Sequence, residues 1–97
     1  MPTYIMLANW TEQGVRTVKN SPQRLEAAKA MASAHGGQLL SFYMTMGEYD
    51  MVATYEAPND DMAARFALEL GREGSIRTIT LKAFPEEEYR EIVGSLG

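Results

Sequence analysis

Apolar and polar residues are arranged along the chain in two kinds of pattern. Short runs rich in β-branched, aromatic and aliphatic residues are typical of strands. Apolar residues that recur at every third and fourth position indicate helices with one buried side. The short runs predict strands over 3–10, 38–46, 50–57 and 75–84, and helix signals lie within 21–37, 58–74 and 85–97.

Residues at the ends of these segments support the assignments. Thr11 can cap a helical turn that follows the first strand, and Ser21 can cap the first long helix. Pro22 stands where a missing N–H does no harm. Gly36 and Gly37 offer the left-handed exit that ends many helices.

The connection between the second and third strands predicts how they pair. The residues "GEY" at 47–49 are too few for anything but a hairpin, so these strands should be antiparallel. The order is then β-α-β-β-α-β with a short C-terminal helix, which is the order of the ferredoxin-like split βαβ fold. We expect one α+β domain spanning residues 1–97, since 97 residues suit a single core.

Alternation along each strand predicts two faces of the sheet. Plain aliphatics, including Ile5, Leu7, Ile79 and Leu81, are expected to face the helices, together with Met51, Ala53 and Ala83. The opposite set mixes aromatics, methionines and polar residues, and it is expected on the uncovered face: Tyr4, Met6, Ala8, Trp10, Leu40, Phe42, Met44, Val52, Thr54, Glu56, Thr78, Thr80, Lys82 and Phe84.

Such a face would expose more apolar surface than monomers usually tolerate. Its polar residues make it unlike a dry core, so we predict a homodimer that closes over a partly polar pocket. Glu56 and Lys82 are expected to form an ion pair inside that pocket. A purely structural dimer interface is the alternative, because mixed patches also occur in interfaces. The residues predicted to line the pocket or dimer face are Tyr4, Met6, Trp10, Phe42, Thr54, Glu56, Thr78, Thr80 and Lys82.

Composition excludes several classes of function. A net charge of −4 argues against nucleic-acid binding, which needs a surplus of Lys and Arg. The absence of cysteine excludes disulfides, thiolate metal sites and cysteine nucleophiles, and a single histidine excludes a His-pair metal site in one subunit. His35 precedes Gly36 and is expected to cap the helix end, which argues against a haem ligand. No signal segment or membrane span is recognisable, so we expect a cytoplasmic protein. From the missing cysteine and the single histidine we expect no metal or cofactor.

The segment Gly47-Glu48-Tyr49-Asp50 is the most distinctive candidate for chemistry. A structural interpretation explains it well, because Gly47 can adopt a positive φ and Asp50 can accept hydrogen bonds from backbone N–H groups. Alternatively, Tyr49 and Asp50 form a proton-transfer pair at the pocket mouth. Asn9 could polarise a substrate carbonyl, although alternation places it opposite its neighbour Trp10. No phosphate-binding glycine loop or Ser–His–acid set is present.

The stretches "TEQGVRTVKNSP", "GEYDMVATYEAPND" and "GSIRTITLKAF" resemble the bacterial GYD-domain family, which is named for a Gly-Tyr-Asp turn before the third strand. The resemblance covers nearly the whole chain and implies a ferredoxin-like fold of the dimeric α/β-barrel type. It implies no activity, because the family is one of unknown function. The wider barrel group includes monooxygenases, isomerases and ligand sensors. Assigning any of these activities to this chain would rest on an analogy of fold alone.

Three hypotheses remain open from the sequence. The first is a homo-oligomeric binding or sensing module that holds a small, partly apolar molecule. The second is a cofactor-independent enzyme, similar to a monooxygenase or isomerase, that uses Tyr49, Asp50, Asn9, or Glu56 with Lys82. The third is a structural oligomer without a ligand.

Overall fold

The computed structural model describes the whole chain, Met1–Gly97, as α+β structure with one four-stranded antiparallel sheet. The elements are β1 Thr3–Trp10, α1 Glu12–Arg16, a 3-10 turn Val18–Asn20, α2 Ser21–Ala34, β2 Gln38–Met44, β3 Met51–Glu56, α3 Asp60–Arg72, β4 Ile76–Ala83 and α4 Glu86–Gly94. The predicted element order is confirmed. The strands lie in the order β2-β3-β1-β4, and every neighbouring pair is antiparallel.

Two helices begin at side chains that satisfy a free backbone N–H. The Thr11 hydroxyl accepts a hydrogen bond from the Gly14 N–H at 3.1 Å, as predicted. The Asn59 side chain does the same for the Met62 N–H at 2.9 Å. Such caps are typically worth about 1 kcal/mol each, because they satisfy donors that have no partner within the helix.

The start of α2 differs from the prediction. Ser21 is already helical, and the residue before it, Asn20, makes no side-chain capping bond. The preceding 3-10 turn runs directly into α2, so the chain enters the helix without a separate cap. The exit is as expected, since Gly36 has a φ of 83°. His35 stands at the C-cap position, and its Nε2 lies 3.3 Å from the Glu69 carboxylate on α3.

The strand register decides which residues share a face, because directly opposite residues of an antiparallel pair point to the same side. Met6 lies opposite Ala53 on β3 and opposite Thr80 on β4. Tyr4 lies opposite Tyr55 and Lys82 in the same way. Since Tyr4, Met6, Ala53 and Tyr55 belong to the buried core, this face is the one that α2 and α3 cover.

The predicted faces of β1, β2 and β4 are therefore reversed. Tyr4, Met6, Trp10 and Phe42 do not lie on the open face but on the helix-covered side, and Thr78, Thr80 and Lys82 share that side. Ile5, Leu7, Ile79, Leu81 and Ala83 lie on the open face instead. The assignment for β3 is confirmed, because Met51 and Ala53 are buried while Val52, Thr54 and Glu56 point away from the helices.

Aromatic stacking explains why the helix side takes this set. The rings of Tyr4 and Tyr55 stack with centroids 5.3 Å apart, and Phe66 of α3 meets Tyr55 edge-on at 4.9 Å. Both geometries are favourable for aromatic pairs. Small residues complete the contact, with Ala32 of α2 and Ala63 of α3 buried against the sheet. The core thus combines large rings with alanines that let the helices approach.

The Tyr4 side chain is buried, but its hydroxyl reaches the edge of the core. It donates a 2.6 Å hydrogen bond to Asp60 Oδ1, and Lys82 Nζ lies 3.1 Å from the same carboxylate. Burial, helped by the hydrogen bond to Asp60, raises the pKa of Tyr4 to about 12. The Tyr4 hydrogen bond and Lys82 together lower the pKa of Asp60. Burial also raises the pKa of Tyr55, which the nearby Thr80 hydroxyl partly offsets.

The C-terminal helix α4 lies apart from this core. None of its residues is buried, and Tyr89, Ile92 and Val93 expose about half of their surfaces. No helix of the chain has both the length and the apolarity needed to cross a membrane. An exposed apolar stripe on a short helix is typical of a surface that another molecule covers.

The Tyr4 proton makes the protein sensitive to alkaline pH. The unfolded chain loses this proton near the ordinary pKa of 10.0, whereas the folded chain holds it up to about pH 12. The folded state therefore binds more protons in that window, and the stabilisation present below pH 10 falls as pH rises toward 12. We expect the free energy of unfolding of the Tyr4→Phe variant to fall less over this pH range, because the variant has no Tyr4 proton to lose.

Urea unfolding at about pH 9 and about pH 11.5 measures the effect. Tyr55 is present in both proteins, so its contribution cancels in the comparison. Tyr89→Phe, at an exposed tyrosine, should behave like the parent chain. Equal losses of unfolding free energy in the Tyr4→Phe variant and the parent would contradict the prediction.

Candidate functional site

The open face of the sheet carries an uninterrupted row of aliphatic side chains. Leu7 of β1 lies between Val52 of β3 and Ile79 of β4, and Ile5 lies between Thr54 of β3 and Leu81 of β4. Ile79 and Leu81 remain 48% and 44% exposed. Contiguous apolar surface of this kind is typical of interaction sites.

The polar residues of the open face lie on β2 and β3 and at the strand ends: Gln38, Ser41, Tyr43, Thr54 and Glu56, with Thr3, Asn9 and Arg77. The hydroxyls of Ser41 and Thr54 hydrogen-bond each other at 2.6 Å. Glu56 lies at one end of the face, and Arg77 lies at the opposite end, beside Asn9. The aliphatic residues thus lie mainly on β1 and β4, and charges of opposite sign stand at opposite ends of the face.

A second surface feature lies on the helix side of the sheet. Between the first half of α2, α3 and the strands is an apolar cleft of about 230 Å³. It arises because the residues that α2 turns toward the sheet, such as Ala28, are too small to fill the gap. Met6, Trp10 and Phe42, predicted as pocket residues, come together here rather than on the open face.

The remaining predicted pocket residues are dispersed. Thr54 and Glu56 lie on the open face, and Tyr4 and Lys82 meet at Asp60. The predicted ion pair between Glu56 and Lys82 is wrong, because these residues point to opposite faces of the sheet. Thr78 and Thr80 also share no site with the other predicted residues, because they lie on the helix side of the edge strand β4.

The Gly47–Asp50 segment forms the hairpin loop and fastens it to β1. Gly47 has a φ of 125°, which favours glycine. The Asp50 carboxylate accepts a hydrogen bond from the Trp10 N–H at 3.0 Å. In return, the Asp50 N–H donates to the Ala8 carbonyl at 3.0 Å and to Asn9 Oδ1 at 2.9 Å. The loop is thus tied to the end of a neighbouring strand rather than only to itself.

These bonds favour the structural interpretation of the motif over the proton-transfer alternative. The polar side chains of Asn9 and Asp50 are both committed to backbone N–H groups. Tyr49 is half-buried, and its carbonyl accepts a bond from the Thr45 hydroxyl at 2.6 Å. Neither Asn9, Tyr49 nor Asp50 lines the apolar cleft.

Sequence reasoning missed the part of the cleft that the helices form. Leu25 and Ala28 of α2 and Leu70 of α3 line it. One signal was present, since the α2 sequence carries small alanines where a core helix usually carries larger side chains. Arg77 was also missed, although it is the one cation within an otherwise uncharged stretch of β4 on the open side.

The latch between Asp50 and β1 should contribute measurably to stability. We expect Asp50→Ala to lower the free energy of unfolding by about 1–3 kcal/mol, because the Trp10 N–H loses a charged acceptor. Glu48→Ala in the same loop removes an exposed side chain and should change it by less than about 0.5 kcal/mol. Urea denaturation compares the two, and equal effects would contradict the latch.

The chain is similar to known proteins in sequence and in fold. The model of the GYD domain family matches residues 4–93. A protein of Thermus thermophilus, named glutamine synthetase and cystathionine beta-lyase binding protein, is 35% identical over 86 residues, which cover 88% of this chain and 90% of the relative. The crystal structure of FFRP-DM1 has a similar fold, with a TM-score of 0.61 at 22% identity, and the alignment covers 87% of this chain and all of that one. On the match across nearly its whole length, the chain belongs to the GYD domain family.

Proposed function

We propose that the chain is a homodimeric binding module in which two copies pair through their open sheet faces and present a surface to a protein partner. The observation that carries the proposal is the aliphatic row on the open face. No element of the chain covers this row, although Ile79 and Leu81 are large and apolar. Burial against a second copy would remove this surface from water, which is the main favourable term in association.

The dimensions of the face support a second copy as the occupant. Strands spaced about 4.8 Å apart and rising about 3.3 Å per residue make a face of roughly 20 Å by 25 Å. Its outline of roughly 500 Å², enlarged by the relief of the side chains, approaches the 800 Å² or so that each partner buries in a stable interface. A two-fold pair buries the same patch twice, so one surface suffices for both subunits.

The charges at the ends of the face also favour self-association. Glu56 lies beside the start of β1, whereas Arg77 lies beside its end. A two-fold axis that reverses the strand direction brings Arg77 of one copy to the end of the sheet that holds Glu56 of the other. Unlike charges at the rim guide the register of such a pair without burying an ion pair at its centre.

The aliphatic residues on β1 and β4 change the functional hypothesis. Most polar residues of the face lie on β2 and β3, where the Ser41 and Thr54 hydroxyls already bind each other. The committed hydrogen bonds of Asn9 and Asp50 likewise leave the enzyme hypothesis without support from the geometry. A binding role agrees best with the Thermus thermophilus relative, whose name describes a protein that binds two enzymes.

The interface is tested by placing a charge in the row. We expect the parent chain to sediment at twice its 10.8 kDa mass at micromolar concentration. Ile79→Lys should weaken the dimer at least tenfold, because it buries an unpaired charge. Leu68→Lys, on an outward position of α3 that is 72% exposed, should leave the dimer intact. A monomeric parent, or equal dimers in both variants, would contradict the proposal.

The binding role is tested with candidate partners taken from the relative's name. Glutamine synthetase and cystathionine beta-lyase from the organism that encodes this chain are immobilised on a sensor surface. Binding of the chain to each enzyme is measured by surface plasmon resonance. We expect saturable binding to at least one of them and none to an unrelated acidic enzyme. If neither enzyme binds while the chain remains dimeric, the proposed class of partner is wrong and the proposed dimer stands.

A further inference from the structure

The cleft beneath α2 differs from the open face in position and in chemistry. It lies on the helix side of the sheet, so a dimer formed through the open faces would leave it accessible. Its walls are aromatic, aliphatic and thioether groups, chiefly Trp10, Phe42, Leu25, Ala28 and Phe66. It therefore does not belong to the interface proposed above, and its role does not depend on that interface.

The apolar walls of a cleft of this size remain partly accessible to water. A ligand that covers them removes apolar surface from water, which is favourable in proportion to the area buried. This cleft measures about 230 Å³, which exceeds the roughly 150 Å³ of an apolar cavity that binds benzene. It lies below the roughly 300 Å³ at which pockets for drug-sized ligands begin.

The lining decides the class of ligand. The charged groups at the cleft are Arg24 and Glu73, and the Arg24 guanidinium is already bound to the carbonyls of Gly14 and Thr17 at 3.3 and 3.1 Å. Glu73 is exposed to solvent, and most of the lining is apolar, so the cleft favours an uncharged ligand. We propose that the cleft between α2 and the sheet binds a compact, uncharged apolar molecule, aromatic or branched aliphatic, about the size of a substituted benzene ring.

The contacts of α2 explain how a ligand enters. The helix buries only Ala32, near its C-terminal end, whereas Leu25 and Ala28 are half-exposed over the cleft. The ligand would fill the space that the small side chains of α2 leave beneath the first half of the helix. Binding would then fix this half of the helix against the sheet, as a larger side chain at Ala28 would.

The single tryptophan of the chain reports on occupancy, because Trp10 lines the cleft. Bromobenzene serves as the probe, since a bromine atom quenches indole fluorescence only at close range. We expect saturable quenching in the parent chain. Ala28→Leu fills the cleft and should weaken the saturable component at least tenfold. Ala27→Leu adds the same group on the exposed side of α2 and should leave it unchanged.

Each result either supports or overturns the assignment. Equal saturable quenching in the two leucine variants, or only a linear collisional component in all three proteins, overturns it. If Ala28→Leu does not fold, the anomalous signal of bromine in a crystal soaked with bromobenzene locates the probe. A peak between α2 and the sheet supports the site, and a peak elsewhere or none overturns it. Sedimentation of Ala27→Leu and Ala28→Leu separates failure of the ligand site from failure of the proposed interface. If both variants keep the dimer mass while the probe does not bind in the cleft, the ligand site is wrong and the interface stands.

Discussion

The uncovered aliphatic face of the sheet is the constraint on which the rest of the molecule depends. Two helices cover one side of a four-stranded sheet, and the chain supplies nothing for the other side. A domain of this length already buries a modest share of its surface, so leaving this row in water is a real loss of stability. In the proposed dimer, a second copy would provide the missing layer, because the same residues would serve both subunits.

The period of two along each strand lets one sheet serve two purposes. On β1, Met6 contributes to the core and the cleft, while its neighbour Leu7 faces outward into the aliphatic row. The aromatic stack of Tyr4, Tyr55 and Phe66 holds the helices over the first side. The strand β1 therefore contributes side chains to both surfaces.

The secondary structure could be predicted from sequence because each element leaves a local signal: a run of β-branched residues, a cap or a glycine exit. The faces could not be assigned in the same way. Tyr, Met, Ala, Ile and Leu are all apolar, so alternation in β1 separates two sets without saying which one is covered. The register supplied the missing fact, since Met6 lies opposite the buried Ala53. The alanines of α2 are a local signal for the cleft, but its size depends on how far α2 stands from the sheet, which the helix sequence does not give. The role of Asp50 depends on a partner forty residues away in sequence.

The most direct measurement uses the absence of cysteine in the native chain. A single Leu81→Cys places a thiol on the open face, and Leu68→Cys places one on an outward position of α3. We expect the thiol at position 81 to react slowly with an alkylating reagent at high protein concentration and quickly after dilution below the dimer dissociation constant, while the thiol at position 68 reacts quickly throughout. Equal, concentration-independent reaction at both positions would show that the open face is never covered and would contradict the central claim.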